Sequence, residues 1–261
     1  MKTLFAGPFV GEFGWELFCW QGILRKYCEV SNFDKVIISS RKSTEFLYKD
    51  FYDEHIEYEP DVYEPDSFFN RGAMTNIPRP EGKCSYLPFN HKLTHYTPSI
   101  IKDKSIWNPK LKQSFIKYGK KIDTDIKILL HSRNTSGAGG QTSIRNWDKN
   151  KFENVVSHFS NIKFASIGTK QAANHIRGTK DLRDKNVVDY MASADLIIGP
   201  SSGPMHLASL CGLKQLAWGV ENNINRYKYD WNPHNTETQY IVSENWNPDI
   251  KEVIENMEIL L

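Results

Sequence analysis

The sequence holds no run of about 18 apolar residues, so no segment reads as a membrane-spanning helix. Its apolar opening, residues 4–10, is cut by Pro8, Gly11 and Glu12 before a signal-peptide core forms. A soluble, cytoplasmic protein is expected. Pairs of the C-x-x-C type are missing, and Cys19, Cys28, Cys84 and Cys211 read as buried free thiols. Zinc-type ligand spacing and G-x-S-x-G are missing too, which removes the usual metal-hydrolase and serine-hydrolase signatures. The lone D-x-D, Asp123-Thr124-Asp125, precedes a strand and so falls at the wrong end of a sheet to hold a metal diphosphate. Charge of one sign is not in excess: a formal net charge of +2 neither demands nor forbids nucleic acid. Internal repeats and low-complexity tracts are absent.

What the sequence does have is alternation. Residues 3–6 form a short apolar strand, and residues 15–30 show helical spacing at Leu17, Trp20, Leu24 and Tyr27. KVIIS at 35–39 reads as a second buried strand and residues 43–51 as a second helix, giving a parallel βαβ start. Residues 57–98 are rich in Pro, Asn, Tyr and acids, with one short strand at 85–87. A basic amphipathic helix is expected at 110–119. The lysines around it, Lys110, Lys112, Lys117, Lys120 and Lys121, read as a solvated face, with a polyanion-binding strip as the other reading. The pattern restarts with a strand at 126–131 and continues with a helix at 150–158, a strand at 163–167 and a helix at 187–194. A strand at 196–199, a helix at 204–211, a strand at 215–218 and a tail helix at 249–259 complete it. Such β-α alternation builds a doubly wound parallel sheet, with ligands at the carboxyl ends of its strands.

Residues 195–212, DLIIGPSSGPMHLASLCG, carry a buried strand into a Ser/Gly turn that opens a helix, with Pro204 in the first helical turn. The N–H groups of Ser202, Gly203 and that first turn are expected to face an anion, joined by the hydroxyls of Ser201 and Ser202 and by His206 one turn in. The stretch resembles the donor-binding motif of heptosyltransferase-like enzymes, glycosyltransferase family nine. Gly199, Ser202, Gly203, His206, Leu207, Ala208 and Gly212 match it, and Ser201 stands where that family usually has Asp. The resemblance spans residues 126–220 and, more loosely, the first thirty. It implies the α/β GT-B architecture, two Rossmann-like doubly wound domains facing across a cleft. The acceptor side would then be 1–120 and the nucleotide-sugar side 121–261, with the last helix considered as packing back on the first domain.

The loop GPFVGEFGWE at 7–16 follows the first strand, and its glycines also fit a dinucleotide fingerprint. Against that reading, Glu12 would sit among donors meant for a pyrophosphate, and the second strand ends in Ser39-Ser40-Arg41 without the ribose-binding acid, although Arg41 suits NADP. By resemblance, Gly11-Glu12 falls where the family carries a Gly-Asp whose acid is the catalytic base. Glu12 is thus the first catalytic candidate and Glu16 the second, with Gly11, Phe13, Gly14 and Trp15 near the acceptor. On the donor side, Arg133 at a strand's carboxyl edge and Arg145 beyond a Gly-rich loop suit a diphosphate, and Gly168 ends the 163–167 strand beside them. The expected activity is metal-independent, inverting transfer from a nucleotide sugar to a saccharide or to a hydroxylated base in phage-type modified DNA, with no cofactor. An NADP-dependent oxidoreductase, a sugar-nucleotide epimerase and a non-catalytic nucleotide-binding module remain the alternatives.

Overall fold

Parallel strands dominate both halves of the chain. The computed structural model describes residues 2–9, 12–59, 80, 82, 84–87, 113–136 and 143–261. The chain divides into two units, Met1–Phe115 and Ile116–Leu261.

In the first unit β1 (Thr3–Ala6) pairs in parallel with β2 (Lys35–Ser40), β2 with β3 (Glu54–Glu57), and β1 on its other side with β4 (Ser85–Leu87). The order is β3-β2-β1-β4. A helical run joins β1 to β2: α1 (Phe13–Trp15), a π segment over Glu16–Trp20, and α2 (Gln21–Ser31). The π segment is buried throughout, and the run stops at Asn32 in the left-handed region. At the other end of the loop after β1, Gly7 has φ +96°, and a Cβ there would lie 2.3 Å from the Ser39 carbonyl oxygen. Only glycine lets β1 turn this close to β2.

The helix expected at 43–51 is a 3-10 turn over Lys42–Leu47. It exists to close a buried polar knot. Glu16 is fully enclosed, 2.7 Å from the Arg41 guanidinium, and accepts the Tyr48 hydroxyl at 2.7 Å. Arg25 nearby binds Asp50, Gln21 and the Leu47 carbonyl.

The helix expected at 110–119 is not formed over 113–119, and residues 102–112 of the lysine strip lie outside the described residues. The reason is that its backbone donors go to other elements. Ser114 N–H reaches the Gly22 carbonyl at 2.9 Å, and the Gln113 amide reaches the Phe18 carbonyl at 2.6 Å. In the second unit Tyr118 N–H, at 2.9 Å, satisfies the Leu210 carbonyl in the last turn of a helix that has no partner of its own there.

The second sheet runs β10-β9-β8-β5-β6-β7, every pair parallel. Its strands are β5 (Ile128–Leu130), β6 (Phe164–Ser166), β7 (Lys180–Asp181), β8 (Leu196–Pro200), β9 (Gln215–Gly219) and β10 (Thr238–Val242). The helices are α3 (Lys149–His158), α4 (Val188–Ser193), α5 (Gly203–Cys211) and α6 (Ile250–Leu260). Asp148 and Asp249 cap α3 and α6, each accepting the N–H two residues on at 2.8 Å. Trp147, Phe152 and Trp218 form an aromatic knot with centroids 4.7 to 5.9 Å apart. Val253, Met257 and Leu260 of α6 are buried in that same core. All four cysteines are free thiols as expected, but Cys28 and Cys84 are only half-buried. Burial pushes Cys28 and Cys211 up to about 12, which keeps both protonated.

Glu16→Gln leaves the Arg41 charge enclosed without its carboxylate, so unfolding free energy should drop by about 3 kcal/mol. A urea titration measures it, and a loss below about 1 kcal/mol would deny the knot its structural weight.

Candidate functional site

The chain enters the second sheet at β5, runs outward through β6 and β7, and then returns to lay β8 on the opposite side of β5. At such a reversal the connections leave in opposite directions, and a crevice opens beyond the carboxyl ends of the two central strands. His131, Ser132 and Arg133 follow β5, and Ser201, Ser202 and Gly203 follow β8. The same reversal occurs in the first unit between β1 and β4, and the loop carrying Glu12 follows β1.

Around β8 the structure differs from expectation in one donor, and a second backbone N–H beside it is also engaged. Ser202 N–H, expected to face an anion, donates to the Tyr227 hydroxyl at 3.2 Å, and Ser201 N–H donates to the Trp218 carbonyl at 2.8 Å. The outward donors of the α5 start are left to the N–H groups of Gly203 and Met205, because Pro204 has none and His206 N–H bonds the Ser202 carbonyl. Ser202 Oγ is enclosed with no protein partner, while Gly203 is half-exposed. A hydroxyl sealed this way lacks about 1–3 kcal/mol of hydrogen bonding that a ligand oxygen would restore.

His206 is not a charged donor. Its ring stacks on Tyr227 at 4.5 Å and meets the Trp231 edge at 4.5 Å, and burial first, then the Arg226 and Arg145 charges, hold its pKa well below the ordinary value. His131 is likewise held down to about 4 by burial and by Arg133 and Arg145, against a raising contribution from the Ile167 backbone. Burial drives the Tyr227 hydroxyl above its ordinary range, so it stays protonated.

Arg133 stands at the carboxyl edge of β5 as expected, but it is buried and forms an antiparallel bridge with Ala173. Gly168, at φ +113°, allows that approach: a Cβ would lie 2.7 Å from Ala173 Cβ and 3.1 Å from His131 Nδ1. Its observed work is packing. Arg145 is half-buried, its guanidinium 5.2 Å from the Trp246 ring centre. The Gly-rich loop before it falls largely at 137–142, outside the described residues, but its ends are stapled: Asn146 accepts Thr135 N–H at 3.2 Å and donates to the Thr135 carbonyl at 2.8 Å.

The segment after β9 was missed by sequence reasoning. There a π turn over Arg226–Asp230 brings Arg226 to 5.0 Å from the Trp231 ring and Tyr227 onto His206. Its only local signal is an arginine among aromatics after a buried strand, RYKYDW, which matches no motif.

In the first unit Glu12 is half-buried at the entry to α1, and its carbonyl accepts Trp15 N–H at 3.0 Å while its side chain makes no capping bond. Phe13 and Trp15 are half-buried and Gly14 is buried; Gly11 lies outside the described residues. Glu16, the second catalytic candidate, is the buried partner of Arg41 and Tyr48. The same ion pair engages the Arg41 on which an NADP reading depends. Asp123 and Asp125 are exposed ahead of β5, and among the described residues no group of three or more His, Cys, Asp or Glu side chains is placed to hold a metal.

No known family profile matches the chain, and no curated protein matches it. Solved structures do. A glycosyl transferase of family 9 from Veillonella parvula superposes at TM-score 0.61 with 12% identity, over 99% of this chain and 96% of that one. The ADP-heptose LPS heptosyltransferase II of E. coli gives 0.59 with 11% identity, over 100% and 98%. TibC of enterotoxigenic E. coli, described as an iron-containing dodecameric glycosyltransferase, gives 0.52 with 12% identity, over 95% of this chain and 62% of that one. The chain thus has an α/β fold of the GT-B type built on parallel sheets, shared with heptosyltransferases nearly end to end.

The two neutral histidines give stability a defined pH dependence. Their folded pKa values lie below the unfolded value of 6.5, so the unfolded chain takes up protons first on acidification. Their contribution is complete above about pH 6.5 and is lost as pH falls below it, for His131 down to about 4, at no more than about 1.4 kcal/mol per pH unit per histidine. His206→Phe keeps a ring in the stack and should remove one proton's share of the slope in urea midpoints between pH 7 and 5. An unchanged slope would contradict this.

Proposed function

We propose that the chain is a glycosyltransferase that binds a nucleotide sugar in its second unit and moves the sugar to an acceptor hydroxyl. The observation that carries this is the β5/β8 reversal, where Ser202 Oγ lies sealed at the start of α5 among arginines that depress the nearby histidines. Guanidinium forks and a hydroxyl with no protein partner are donors suited to a diphosphate. The GT-B likeness and the ADP-heptose in the name of one structural neighbour support a nucleotide-sugar donor.

Transfer breaks the bond between the anomeric carbon and the diphosphate oxygen, and the electron pair leaves with the diphosphate. Arg133, Arg145, Gly203 N–H, Ser201 and Ser202 would stabilise the charge that develops there, which is where preorganised donors act most strongly. The acceptor hydroxyl attacks the anomeric carbon and must lose a proton as it does so. Glu12, half-buried at the entry to α1 in the loop that follows β1, is the base assigned to take that proton. One such displacement inverts the anomeric centre. A saccharide acceptor is favoured by the heptosyltransferase likeness. Glu16 is set aside as base, because its carboxylate is enclosed with Arg41 and Tyr48.

With arginines as the neutralising charges, a nucleoside diphosphate should stabilise the protein equally with and without EDTA. Thermal-shift measurements with ADP, UDP, GDP and CDP check this, and loss of the shift in EDTA would transfer the role to a metal.

A base acting only in the transition state adds to rate and little to donor affinity. Glu12→Gln should therefore keep donor affinity while turnover drops by about 10² to 10⁴. Near-normal turnover in a folded Glu12→Gln protein would remove the base from this position.

A further inference from the structure

β8, which delivers Ser202, lies between β5 and β9 in the sheet. Arg145 comes from the chain after β5 and Arg226 from the chain after β9, the strands on either side of β8, and the charges of both act on His206 of α5. Each guanidinium lies over an indole, Arg145 over Trp246 at 5.2 Å and Arg226 over Trp231 at 5.0 Å. Neither mount is isolated. Trp231 meets the His206 ring at 4.5 Å, His206 stacks on Tyr227, and the Tyr227 hydroxyl accepts the Ser202 N–H. Trp246 packs at Gly219, where a Cβ would lie 2.7 Å from that indole and 2.7 Å from the Tyr240 hydroxyl, and Tyr240 lies 5.3 Å from Tyr227. Both chains of contact end on the ring that holds Ser202 in place.

We propose that Arg226 is a donor-binding residue that works with Arg145 as a two-armed grip, one arm from each side of β8, and that this grip makes the site select two phosphate groups over one. The inference rests on the donor reading above and deepens it. Arginine suits the task because a planar guanidinium can lie on an indole and still present its edge N–H groups to phosphate oxygens, which lysine cannot do. A fork already held on a ring also loses less freedom when the ligand arrives. Independent support comes from His206, whose pKa both arginines depress, so that their fields meet one turn into α5. The enclosed, unpartnered Ser202 Oγ lies at the same helix start.

Calorimetric titration of ADP, UDP, GDP and CDP and of the four matching monophosphates tests the grip. Wild type should prefer the diphosphate of its best nucleotide by at least about tenfold, equivalent to about 1.4 kcal/mol. Arg226→Gln should weaken diphosphate binding by about 10- to 100-fold and monophosphate binding by no more than about threefold, so the preference collapses. Arg226→Lys, which keeps charge and stem but not the flat fork, should retain only part of it and serves as the measure where Arg226→Gln does not fold. A folded variant with the wild-type ratio overturns the assignment of Arg226 while leaving the donor reading intact. Absence of any diphosphate binding by wild type overturns the donor reading and this inference together.

Discussion

The order in which a parallel sheet is laid down constrains everything else in this molecule. Once β5 is placed, crossovers of one hand carry the chain outward on one side, and a strand added on the other side requires a return. In the second sheet the carboxyl ends of β5 and β8 are then where successive connections diverge and open a crevice. Ser202, Arg133 and the start of α5 have no need of a dedicated scaffold, because the reversal itself puts them side by side. The first unit repeats the arrangement at β1 and β4, and Glu12 follows β1 there.

Charge in the second unit is organised around rings. Histidines at the strand ends are kept neutral by burial and by neighbouring arginines, so positive charge resides on guanidinium groups at the edge of the aromatic cluster. Imidazolium at His206 would place a third cation near the Arg226 and Arg145 charges in a buried position. Burial and its stack on Tyr227 make His206 a neutral ring, so a hydrogen bond it offers a ligand would come from an uncharged imidazole N–H. Tyr227 takes over a backbone donor that the motif would have offered to the ligand, and in exchange fixes the turn from which Ser202 Oγ projects.

How much was legible in the sequence depended on how local each cause is. Buried central strands such as those at 35–40, 128–130 and 196–200 announced themselves as short apolar runs, and the Asp148 and Asp249 caps stand directly before their helices. β3 (EHIE), β7 (KD) and much of β10 are edge strands with polar faces, so no periodic signal marked them. Residues 113–119 carry a helical pattern, yet Gly22 and Leu210 carbonyls recruit their N–H groups, an outcome decided by tertiary neighbours. Glu16 read as a second catalytic candidate because its partner Arg41 is 25 residues away and no local spacing links them. Arg226 escaped for the same reason: what makes it part of a site is Trp231 beneath it and His206 beyond, a relation that no local spacing encodes.

The Asn146 side chain binds both the N–H and the carbonyl of Thr135, copying the pairing of one residue in a ladder. The chain between them is thereby closed into a ring whose ends are fixed whatever its length. Closing a loop of twice the size costs only about 0.6 kcal/mol more. By that measure, insertions between Ser136 and Ser143 should leave the Thr135–Asn146 pairing standing. Natural variation, or a designed library, has at this staple a hinge point for exchanging loop content without re-engineering the domain.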